Sequence, residues 1–278
     1  MTINFDAKQQ LGSVTAKGGF ANEHDIVAKF QNYQTDSEAQ VWLSIMGYEL
    51  NKINRLKALH IPTRLNQKRA REFGISPDKM AETQKYKKAD IQVQLMITID
   101  DIIYRENISL KKAKQSANFN QIDKRSVDTY QTMWQFNDTV ANTLKKFTGA
   151  TLPTDTEAEN LRDKRRWYLD ELPKEDVEQV LAFFDNNKHL IFSDILRGRG
   201  MLSAEWFLVT CNNHDGTVQW ALKNINEVIN FYAQGDIMLS KKGGLILGRL
   251  TAQRKGGTPD PTSLQFKIKP NDIFLIDN

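Results

Sequence analysis

The chain has 278 residues, of which 40% are hydrophobic, so it is long enough to bury one large core or two small ones. No apolar run approaches the length of a membrane span, and residues 1–10 contain no apolar segment typical of a secretory signal, so we expect neither membrane insertion nor secretion. The single cysteine excludes an intramolecular disulfide and is compatible with a reducing cytoplasm, the location that we expect.

The formal net charge is only +4, but the charges are segregated along the chain. Residues 57–88 carry nine Lys or Arg against three acidic residues, a balance of +6, and residues 241–255 carry five basic residues and no acid. Residues 153–178 carry nine acidic residues against five basic ones. Such concentrated positive patches indicate a polyanionic partner, although charge runs are also typical of solvated surfaces.

The first predicted element is a helix over Phe20–Tyr33, with Asn22 as its N-cap. Glu23 shares the apolar side of this helix with Val27 and Phe30, and a carboxylate there is costly unless it has a partner. Glu23 is therefore either an acid in the first turn, which the helix dipole favours, or an acid aimed at a metal site beneath the helix.

A second helix is predicted over Ser37–Ile53, and a basic segment, Ile61–Lys88, follows it. Helix-forming residues between Pro62, Gly74 and Pro77 indicate a mainly helical excursion. Because its charge balance is +6, we expect this excursion to grip a nucleic acid. The cations predicted to make the contact are Lys68, Arg69 and Arg71.

Two alternating segments then predict a β-hairpin. Apolar and polar residues alternate over 90–95 and again over 108–111, on either side of an acidic turn. In an antiparallel hairpin the start of one strand lies beside the end of the other, so Asp90 would lie near Ser109 and Lys111 on the side away from the core. A carboxylate beside an ammonium suits a divalent metal and a phosphate, but an ordinary amphipathic hairpin has the same pattern.

Helices and strands mix throughout the rest of the chain, which favours one α/β domain over residues 1–278. Predicted helices cover Asp128–Phe147, Pro173 to about Asn186, and Asn224–Tyr232. Predicted strands cover Leu190–Phe192, Trp206–Val209, Ile237–Leu239, Leu245–Lys255 and Leu264–Lys269.

The last two predicted strands carry cations and amides on one face. Period two groups Arg249, Gln253 and Lys255 on the first strand, and Gln265 and Lys267 on the second. Arg and Lys match guanine acceptors and Gln can bond a base edge, while the same cations can contact phosphates without reading sequence. A solvated sheet face is the plainer alternative.

Two further segments carry groups that suit DNA contacts. Arg197 and Arg199 alternate with glycines on a turn whose backbone can approach a ligand closely. Amides and hydroxyls cluster directly after the hairpin, together with an aromatic ring that can stack on bases, although a core position is an alternative for that ring. These candidates are Lys114, Ser116, Asn118, Phe119, Asn120 and Gln121.

Asp90, eighteen intervening residues and Ser109-Leu110-Lys111 resemble the PD-(D/E)XK nuclease motif. Their surroundings resemble, more specifically, the small type II restriction endonucleases that cut GCGC, and the similar stretches span nearly the whole chain. These stretches are residues 15–20, 22–23, 36–40, 119–124, 194–200, 204–206, 224–228, 253–257 and 264–267. They add Lys124 and Arg254 to the candidate DNA-binding residues.

The resemblance implies a restriction-endonuclease-like mixed central sheet flanked by helices, Mg2+ dependence and hydrolysis of double-stranded DNA. It makes Asp90 a metal ligand and Lys111 the lysine that orients or activates the attacking water. The main-chain carbonyl of Leu110 would also face the metal. Glu23 falls where many of these nucleases carry an additional helical acid.

Two residues depart from the motif. Ala89 precedes Asp90 where the motif has proline, and Ser109 replaces an acid, which removes one anionic metal ligand. Lys112 points away from Ser109 by strand parity, so Lys111 is preferred. The leading hypothesis is a Mg2+-dependent endonuclease that acts as a monomer or homodimer. The alternatives are a DNA-binding protein with a vestigial nuclease site and a protein whose basic faces bind acidic protein surfaces.

Overall fold

A computed structural model describes residues 22–62, 64–88, 92–114, 119–255 and 262–276, and of Gln92 and Lys114 it describes the backbone alone. This part of the chain forms two compact units. The mixed-sheet unit contains the described residues within 22–114, 196–228 and 270–276, and the antiparallel-sheet unit contains those within 119–195 and 229–269. One nuclease domain over residues 1–278 stays a prediction.

Helices and strands are mixed along the chain, in agreement with the predicted α/β class. No helix in the described ranges is long and apolar enough to cross a membrane. The α-helices are α1 (22–31), α2 (Ser37–Ile45), α3 (Gln67–Glu72), α4 (Met80–Tyr86), α5 (Val127–Trp134), α6 (Asp138–Thr148), α7 (Asp155–Glu159), α8 (Lys174–Asn186), α9 (Lys188–Leu196) and α10 (Ile225–Tyr232). Short 3-10 helices cover Leu50–Lys52, Pro77–Lys79, Leu169–Glu171, Gly200–Leu202 and Pro270–Leu275. The strands are β1 (Arg55–Ile61), β2 (Gln92–Ile99), β3 (Ile102–Lys114), β4 (Asn120–Ser126), β5 (Trp206–Asn212), β6 (Val218–Asn224), β7 (Ile237–Leu239), β8 (Leu245–Leu247), β9 (Leu250–Arg254) and β10 (Ser263–Ile268).

The mixed-sheet unit is built on a five-stranded sheet in the order β1-β2-β3-β5-β6. All neighbouring strands pair antiparallel except β3 and β5, which run parallel. This arrangement confirms the predicted mixed sheet, although the sequence patterns did not predict β1 or β6. It also makes β3 the central strand, with a partner on each side.

Strand alternation gives this sheet two different faces. Val93 and Leu110 belong to one apolar core with Ile26 and Phe30, so α1 covers their face, here called the α1 face. Ser109 alternates with Leu110 along β3 and therefore points to the opposite face.

The antiparallel-sheet unit contains a second sheet in the order β4-β10-β9-β8-β7. Tyr130 and Trp134 of α5 stack with 4.5 Å between their ring centroids, and both meet Phe266 of β10 edge-on. Phe184 of α8 meets Trp134 edge-on in the same cluster. These aromatic rings attach α5 and α8 to one face of the sheet, and alternation directs Gln265 to the other face.

The segment Asp128–Phe147, predicted as one helix, forms two. α5 ends because Gln135 adopts a left-handed backbone conformation with φ of 58°. α6 begins after Asn137, whose side chain accepts a hydrogen bond of 2.9 Å from the backbone N–H of Val140. The prediction followed the apolar periodicity and overlooked the polar cap.

Two predicted strands are also corrected. Leu190–Phe192 lies within α9, because a short apolar run does not distinguish a buried strand from a buried helix. Leu245–Lys255 is divided into β8 and β9 by a turn at Gly248, where φ is +51° and an added Cβ would lie 2.6 Å from the carbonyl oxygen of Gln234. Arg249 therefore lies in a turn and not on a strand face.

The helix predicted over Ser37–Ile53 ends at Ile45. Gly47, with φ of +89°, follows its last turn and supplies the left-handed conformation that commonly ends a helix. Trp42 of this helix is buried, whereas Val41 and Ile45 are exposed. The apolar residues of α2 therefore do not all face the core.

Candidate functional site

The predicted β-hairpin is present, and its register sets the position of the candidate site. β2 and β3 pair antiparallel, with Gln92 opposite Ser109. Ser109 therefore lies beside the first described residue of β2. The predicted metal ligand Asp90 lies outside the described residues.

Ser109 and Lys111 lie on one face of the central strand. Ser109 is fully buried, and Lys111 is half-buried two residues further along β3. Lys112 is exposed and points by alternation to the α1 face. The fold thus brings Ser109 and Lys111 to the same side, as predicted, and separates Lys112 from them.

A buried lysine that sequence reasoning missed contacts Ser109. Lys88 is 1% exposed, and its Nζ donates a hydrogen bond of 2.7 Å to Oγ of Ser109. The same Nζ lies 5.2 Å from the ring centroid of Phe207, which is opposite Ser109 on β5. Lysines are rarely buried unless paired, so this contact is the most specific feature of the site. The available signal was that Lys88 lies two residues before Asp90.

The Arg-Gly-Arg-Gly turn packs against the segment that carries Lys88. Gly198 has a φ of +79°, and a Cβ added to it would lie 3.2 Å from the backbone N of Lys88. The guanidinium of Arg199 lies 5.6 Å from the ring centroid of Tyr86. Arg197 is half-buried, and its Nε has no hydrogen-bond partner among the described residues. The turn therefore supports the backbone of Lys88. The guanidinium of Arg197, on the same turn, can bind a ligand.

Glu23 is buried, which confirms its predicted inward placement. Its Oε2 contacts Nε2 of His60 on β1 without the geometry of a hydrogen bond, and Oε1 finds no hydrogen-bond partner within the described chain. Asn22 is not an N-cap, because it is already helical and its Oδ1 accepts a hydrogen bond of 2.9 Å from Oγ1 of Thr210. Glu23 and its helix lie on the α1 face, and Ser109 points to the opposite one.

The basic excursion is mainly helical, as predicted, and contains α3 and α4. Lys68 and Arg71 are exposed on α3. Arg69 is half-buried, and its Nη1 lies 2.6 Å from Oε2 of Glu72. Two of the three predicted cations therefore reach solvent, while the third is bound to a neighbouring carboxylate.

Five amide and lysine side chains share one face of the antiparallel sheet, which we call the amide–lysine face. Paired strands place Gln265 opposite both Gln253 and Lys124, and Lys267 opposite Gln121. Directly opposed residues point to the same side, so this face joins three strands. Its members are Gln121, Lys124, Gln253, Gln265 and Lys267.

Burial and like charge shape the electrostatics of the amide–lysine face. Burial, together with the neighbouring ammonium of Lys255, lowers the pKa of Lys124 to about 8. Burial alone lowers the pKa of Lys267. Burial is the largest cause of both shifts, so positive charge on this face is only partly solvated.

The two arginines predicted for this region are placed differently. The side chain of Arg254 is buried on the other side of β9, and its Nη1 lies 3.3 Å from Oδ2 of Asp163. The guanidinium of Arg249 lies 4.1 Å from the ring centroid of Phe231. Arg254 is committed to a structural ion pair, which disfavours its predicted DNA contact.

The amide-rich segment after the hairpin is only partly described. Ser116 and Asn118 lie outside the described residues, and nothing is stated of the Lys114 side chain. Phe119 is exposed, with Nζ of Lys269 5.2 Å from its ring centroid, and so does not occupy a core position. Asn120 is half-buried at the start of β4.

The described residues contain no cluster of three or more His, Cys, Asp or Glu side chains that could hold a metal ion. Glu23 offers a buried carboxylate, and Asp90 lies outside the described ranges.

Comparisons with known proteins relate both units to one group. The family model of the R.HinP1I restriction endonuclease matches residues 78–274. A crystal structure of the restriction endonuclease MspI in complex with its cognate DNA is similar over 93% of this chain and 92% of that chain, with a TM-score of 0.58 and 13% sequence identity. At that identity the similarity shows the fold alone. No curated protein matches the chain.

Proposed function

Because this chain belongs to the R.HinP1I restriction endonuclease family, we propose that it hydrolyses double-stranded DNA at the palindrome GCGC and requires Mg2+. Its enzyme class, type II site-specific deoxyribonuclease, is that of the family. We place the active site on the face of β3 that holds Ser109 and Lys111. The observation that supports this placement is the hydrogen bond from the buried Lys88 to Ser109. This face lies inside the matched residues.

Lys111 is the proposed catalytic lysine. It shares the face of Ser109 and is half-buried, so its ammonium is partly shielded from water. A fixed cation in such a place balances the negative charge that develops on a phosphate during attack by water. The same ammonium would orient the attacking water through one of its N–H groups.

Hard oxygen donors would hold the magnesium ion. The proposed ligands are the carboxylate of Asp90 and the main-chain carbonyl of Leu110, both of the type that Mg2+ prefers. When bound, the ion would polarise the phosphate and lower the pKa of a water molecule. Within the described chain the buried carboxylate of Glu23 contacts His60 but accepts no hydrogen bond, which suits a cation, so we propose Glu23 as an additional acid. Because it lies on the α1 face, it would add an acid and not replace the one missing at Ser109.

The amide–lysine face is the proposed base-reading surface. Lysine donates to the O6 and N7 acceptors of guanine, and glutamine both donates to and accepts from base edges, so this composition suits a G·C-rich site. Gln265 is buried and the other four members of this face are half-buried. Partial burial of so many polar groups is costly on a merely solvated face, which supports a ligand there. The choice of GCGC as the palindrome rests on the resemblance to enzymes that cut GCGC.

Cations elsewhere that are exposed or half-buried would contact the DNA backbone. Phosphate contacts fix the position of the protein without reading the sequence. The residues proposed for them are Lys68, Arg71, Arg199 and Lys255. A palindrome requires one cut in each strand, which a monomer or a homodimer can make. The proposed location of the activity is the cytoplasm.

One observation favours a second candidate function, sequence-specific DNA binding by a vestigial nuclease. Ser109 replaces the motif's acid, and the ammonium of Lys88 is bonded to it, so this position lacks an anionic metal ligand. Such a protein would bind duplex DNA with a strong salt dependence and would not cut it in Mg2+.

Plasmid cleavage separates the two functions. The purified protein is incubated with plasmid DNA that contains GCGC sites, with Mg2+ or with EDTA, and the fragment ends are sequenced. We expect Mg2+-dependent ends within GCGC. Binding without cleavage at any Mg2+ concentration would support the vestigial site, and cleavage at another sequence would reject GCGC alone.

A further inference from the structure

One buried amide of the central strand holds a loop that also packs against the basic excursion. We propose that Asn107 is a positioning residue that fixes residues 197–205, here called the arginine loop, and through this loop sets the phosphate-contacting cations relative to β3. This inference rests on the proposed nuclease function. It goes beyond that function because neither the nuclease motif nor the resemblance assigns a role to Asn107.

Asn107 attaches the middle of the arginine loop to the active strand. It lies on the face of β3 that holds Ser109 and Lys111, because residues two apart on a strand share a face. It is 3% exposed, so it does not reach DNA itself. Its Nδ2 donates hydrogen bonds of 3.2 Å and 3.0 Å to the carbonyl oxygens of Met201 and Ser203.

Hydrogen-bond chemistry gives the Asn107 amide one orientation. Both loop atoms are carbonyl oxygens, which only accept, so the amide atom that faces them must be Nδ2. Oδ1 then faces β2 and accepts a hydrogen bond of 3.0 Å from Nε2 of Gln94, the residue directly opposite on that strand. Gln94 is 1% exposed, so it is fixed on the same face. A flipped Asn107 amide would lose all three bonds.

The arginine loop is held as one unit, so an anchor at its middle affects the whole loop. The backbone N–H of Ala204 donates at 2.8 Å to the carbonyl oxygen of Arg197, which closes the loop. Glu205 and the backbone of Asn107 are bonded in both directions, since the N–H of Glu205 donates at 2.9 Å and its Oε2 accepts at 2.7 Å. The backbone and side chain of one strand residue therefore hold the loop at two places.

The arginine loop also packs against the basic excursion. Leu202 is fully buried in an apolar cluster with Phe73 and Ile75 of the excursion. Arg199 is half-buried, and its backbone N–H donates at 3.4 Å to the carbonyl oxygen of Tyr86 on α4. The loop therefore links β3 to the excursion and carries a proposed phosphate contact of its own.

This link aligns bound DNA with the active strand. Phosphate contacts by Lys68, Arg71 and Arg199 would fix the position of the duplex on the protein. Lys111 can act on the scissile phosphate only if that position matches the position of β3. A displacement of about 1 Å caused far from the chemistry can reduce a rate about 100-fold. Asn107 thereby affects the cleavage rate although it contacts no DNA.

Single-turnover cleavage tests this role with Asn107→Ala, which keeps the backbone bonds to Glu205 and loses only the side-chain bonds. With a GCGC duplex in Mg2+ we expect the rate to fall about 10- to 100-fold, because the duplex is no longer aligned with β3. The Kd measured in EDTA should change less than about threefold, because the cations that contact phosphates are all retained.

Asn187→Ala is the matched control. It also removes an amide that donates to a backbone carbonyl oxygen, here that of Phe183 at 2.9 Å, but on α8 and away from β3. Its cleavage rate should stay within about threefold of the wild type. An equal loss in both variants would overturn the role of Asn107.

A double variant distinguishes positioning from general destabilisation. In the wild-type background, Arg199→Ala should slow cleavage about tenfold, and in the Asn107→Ala background it should slow cleavage less than about twofold, because the link is already broken. Additive losses would overturn the proposal.

Hydrogen exchange tests the anchor in the free protein. In Asn107→Ala the backbone N–H groups of Arg199 and Ala204 should exchange about tenfold faster, the loss typical of one hydrogen bond. The N–H groups that pair β2 with β3 should keep their protection within about threefold. Unchanged exchange in the loop, or equal acceleration in the loop and the strands, would overturn the proposal.

Fold integrity and the parent function are tested separately. Gln94→Leu is a second variant in case Asn107→Ala fails to fold, as judged by its Tm. It removes the partner that orients the Asn107 amide, so slower cleavage and faster loop exchange should both appear to a smaller extent, and the absence of both would overturn the proposal. If the wild type cuts no duplex in Mg2+, the proposed function fails. If the wild type cuts, and Asn107→Ala cuts at the same rate, only the role of Asn107 is rejected.

Discussion

The side-chain Nε2 of Gln265 donates a hydrogen bond of 2.6 Å to Oε1 of Gln121. This bond joins β10 to β4 across the amide–lysine face. Because Oε1 of Gln121 accepts this bond, the amide nitrogen of Gln121 points away from Gln265. One residue of the pair thus orients the other.

Breaking this pair should reduce sequence discrimination more than it reduces stability. Gln265→Leu removes the donor, so the Gln121 amide can turn. We expect the preference in kcat/KM for GCGC over single-base variants to fall about 10- to 100-fold, the range typical of one lost base contact. The free energy of unfolding should fall by about 1 kcal/mol. Competitive cleavage of duplexes that differ at one base measures the first quantity, and thermal unfolding measures the second.

Gln179→Leu is the control for this experiment. Gln179 is exposed on α8 and accepts only a bond of 3.4 Å from Asn137. It should retain the full preference for GCGC. An equal loss in both variants would argue against a reading role for Gln265.

Lys111→Ala should abolish cleavage and leave binding largely intact. The ammonium is proposed to stabilise charge that develops only in the transition state, so its loss affects kcat and not ground-state affinity. We expect the single-turnover rate in Mg2+ to fall at least about 100-fold, and the Kd for a cognate duplex to change less than about threefold. Rapid-quench cleavage and fluorescence anisotropy measure these values.

Lys112→Ala provides a neighbouring control on the other face of β3. It removes the same charge one residue away, where alternation directs the side chain to the α1 face. Cleavage should stay within about threefold of the wild type. If Lys112→Ala is the inactive variant and Lys111→Ala cuts normally, the assignment of the catalytic lysine is wrong.

DNA affinity should fall as the pH rises above about 8. Burial and Lys255 lower the pKa of Lys124 from 10.5 to about 8, so this lysine loses its proton early in the folded chain. Between these two values the unfolded chain binds the extra proton, and this group's contribution to folding stability therefore rises with pH. Contact with DNA requires the charged form of Lys124. DNA affinity therefore falls over the pH range in which this contribution to folding stability rises.

Affinity measured from pH 7 to 9.5 checks the assignment to Lys124, since Lys124→Met should flatten this fall. Lys87→Met is a suitable control, because burial also lowers the pKa of Lys87 to about 8. If the pH profile of DNA affinity is flattened in Lys87→Met and not in Lys124→Met, the lysine whose titration weakens binding lies in the basic excursion.

The basic excursion should contribute sequence-independent affinity. Lys68→Ala combined with Arg71→Ala removes two exposed cations. If each neutralises one phosphate, the slope of log K against log salt should become shallower by about 1.8 in total. Arg69→Ala should have a smaller effect, because its guanidinium is bound to Glu72. Titrations at several salt concentrations, with exposed Lys174→Ala as the control, measure the slope, and an unchanged slope would remove the excursion from the DNA contact.

Local periodicity was sufficient to predict the part of the site that lies on one hairpin. Alternation along β3 placed Ser109 and Lys111 on one side because side-chain direction in a strand depends only on parity. The helix from Pro173 and the strand from Trp206 were predicted for similar reasons, since each has a clear period and a clear start. The same reasoning placed Glu23 correctly in a buried position.

Lys88 could not be predicted in this way. Its burial depends on Gly198 and Phe207, which are distant in sequence and reach it only in the folded chain. The pairing of β10 with β4 likewise depends on tertiary contacts between segments far apart in sequence. Asn137, the N-cap of α6, was a local signal for a helix start, but the continuous apolar periodicity led to the prediction of one helix. The errors thus arose where long-range packing or one polar cap outweighed periodicity.

The central position of β3 makes its active face sensitive to insertion length. Ser109 and Leu110 are neighbours with opposite surroundings, one facing an ammonium and the other an apolar core. One residue inserted before Ser109 within β3 would direct leucine to the proposed active face and serine into the core, whereas two inserted residues would restore the original order. Tolerance of this nuclease to insertions in β3 should therefore alternate between odd and even lengths, because the apolar residues on the α1 face set the direction of Ser109 and Lys111.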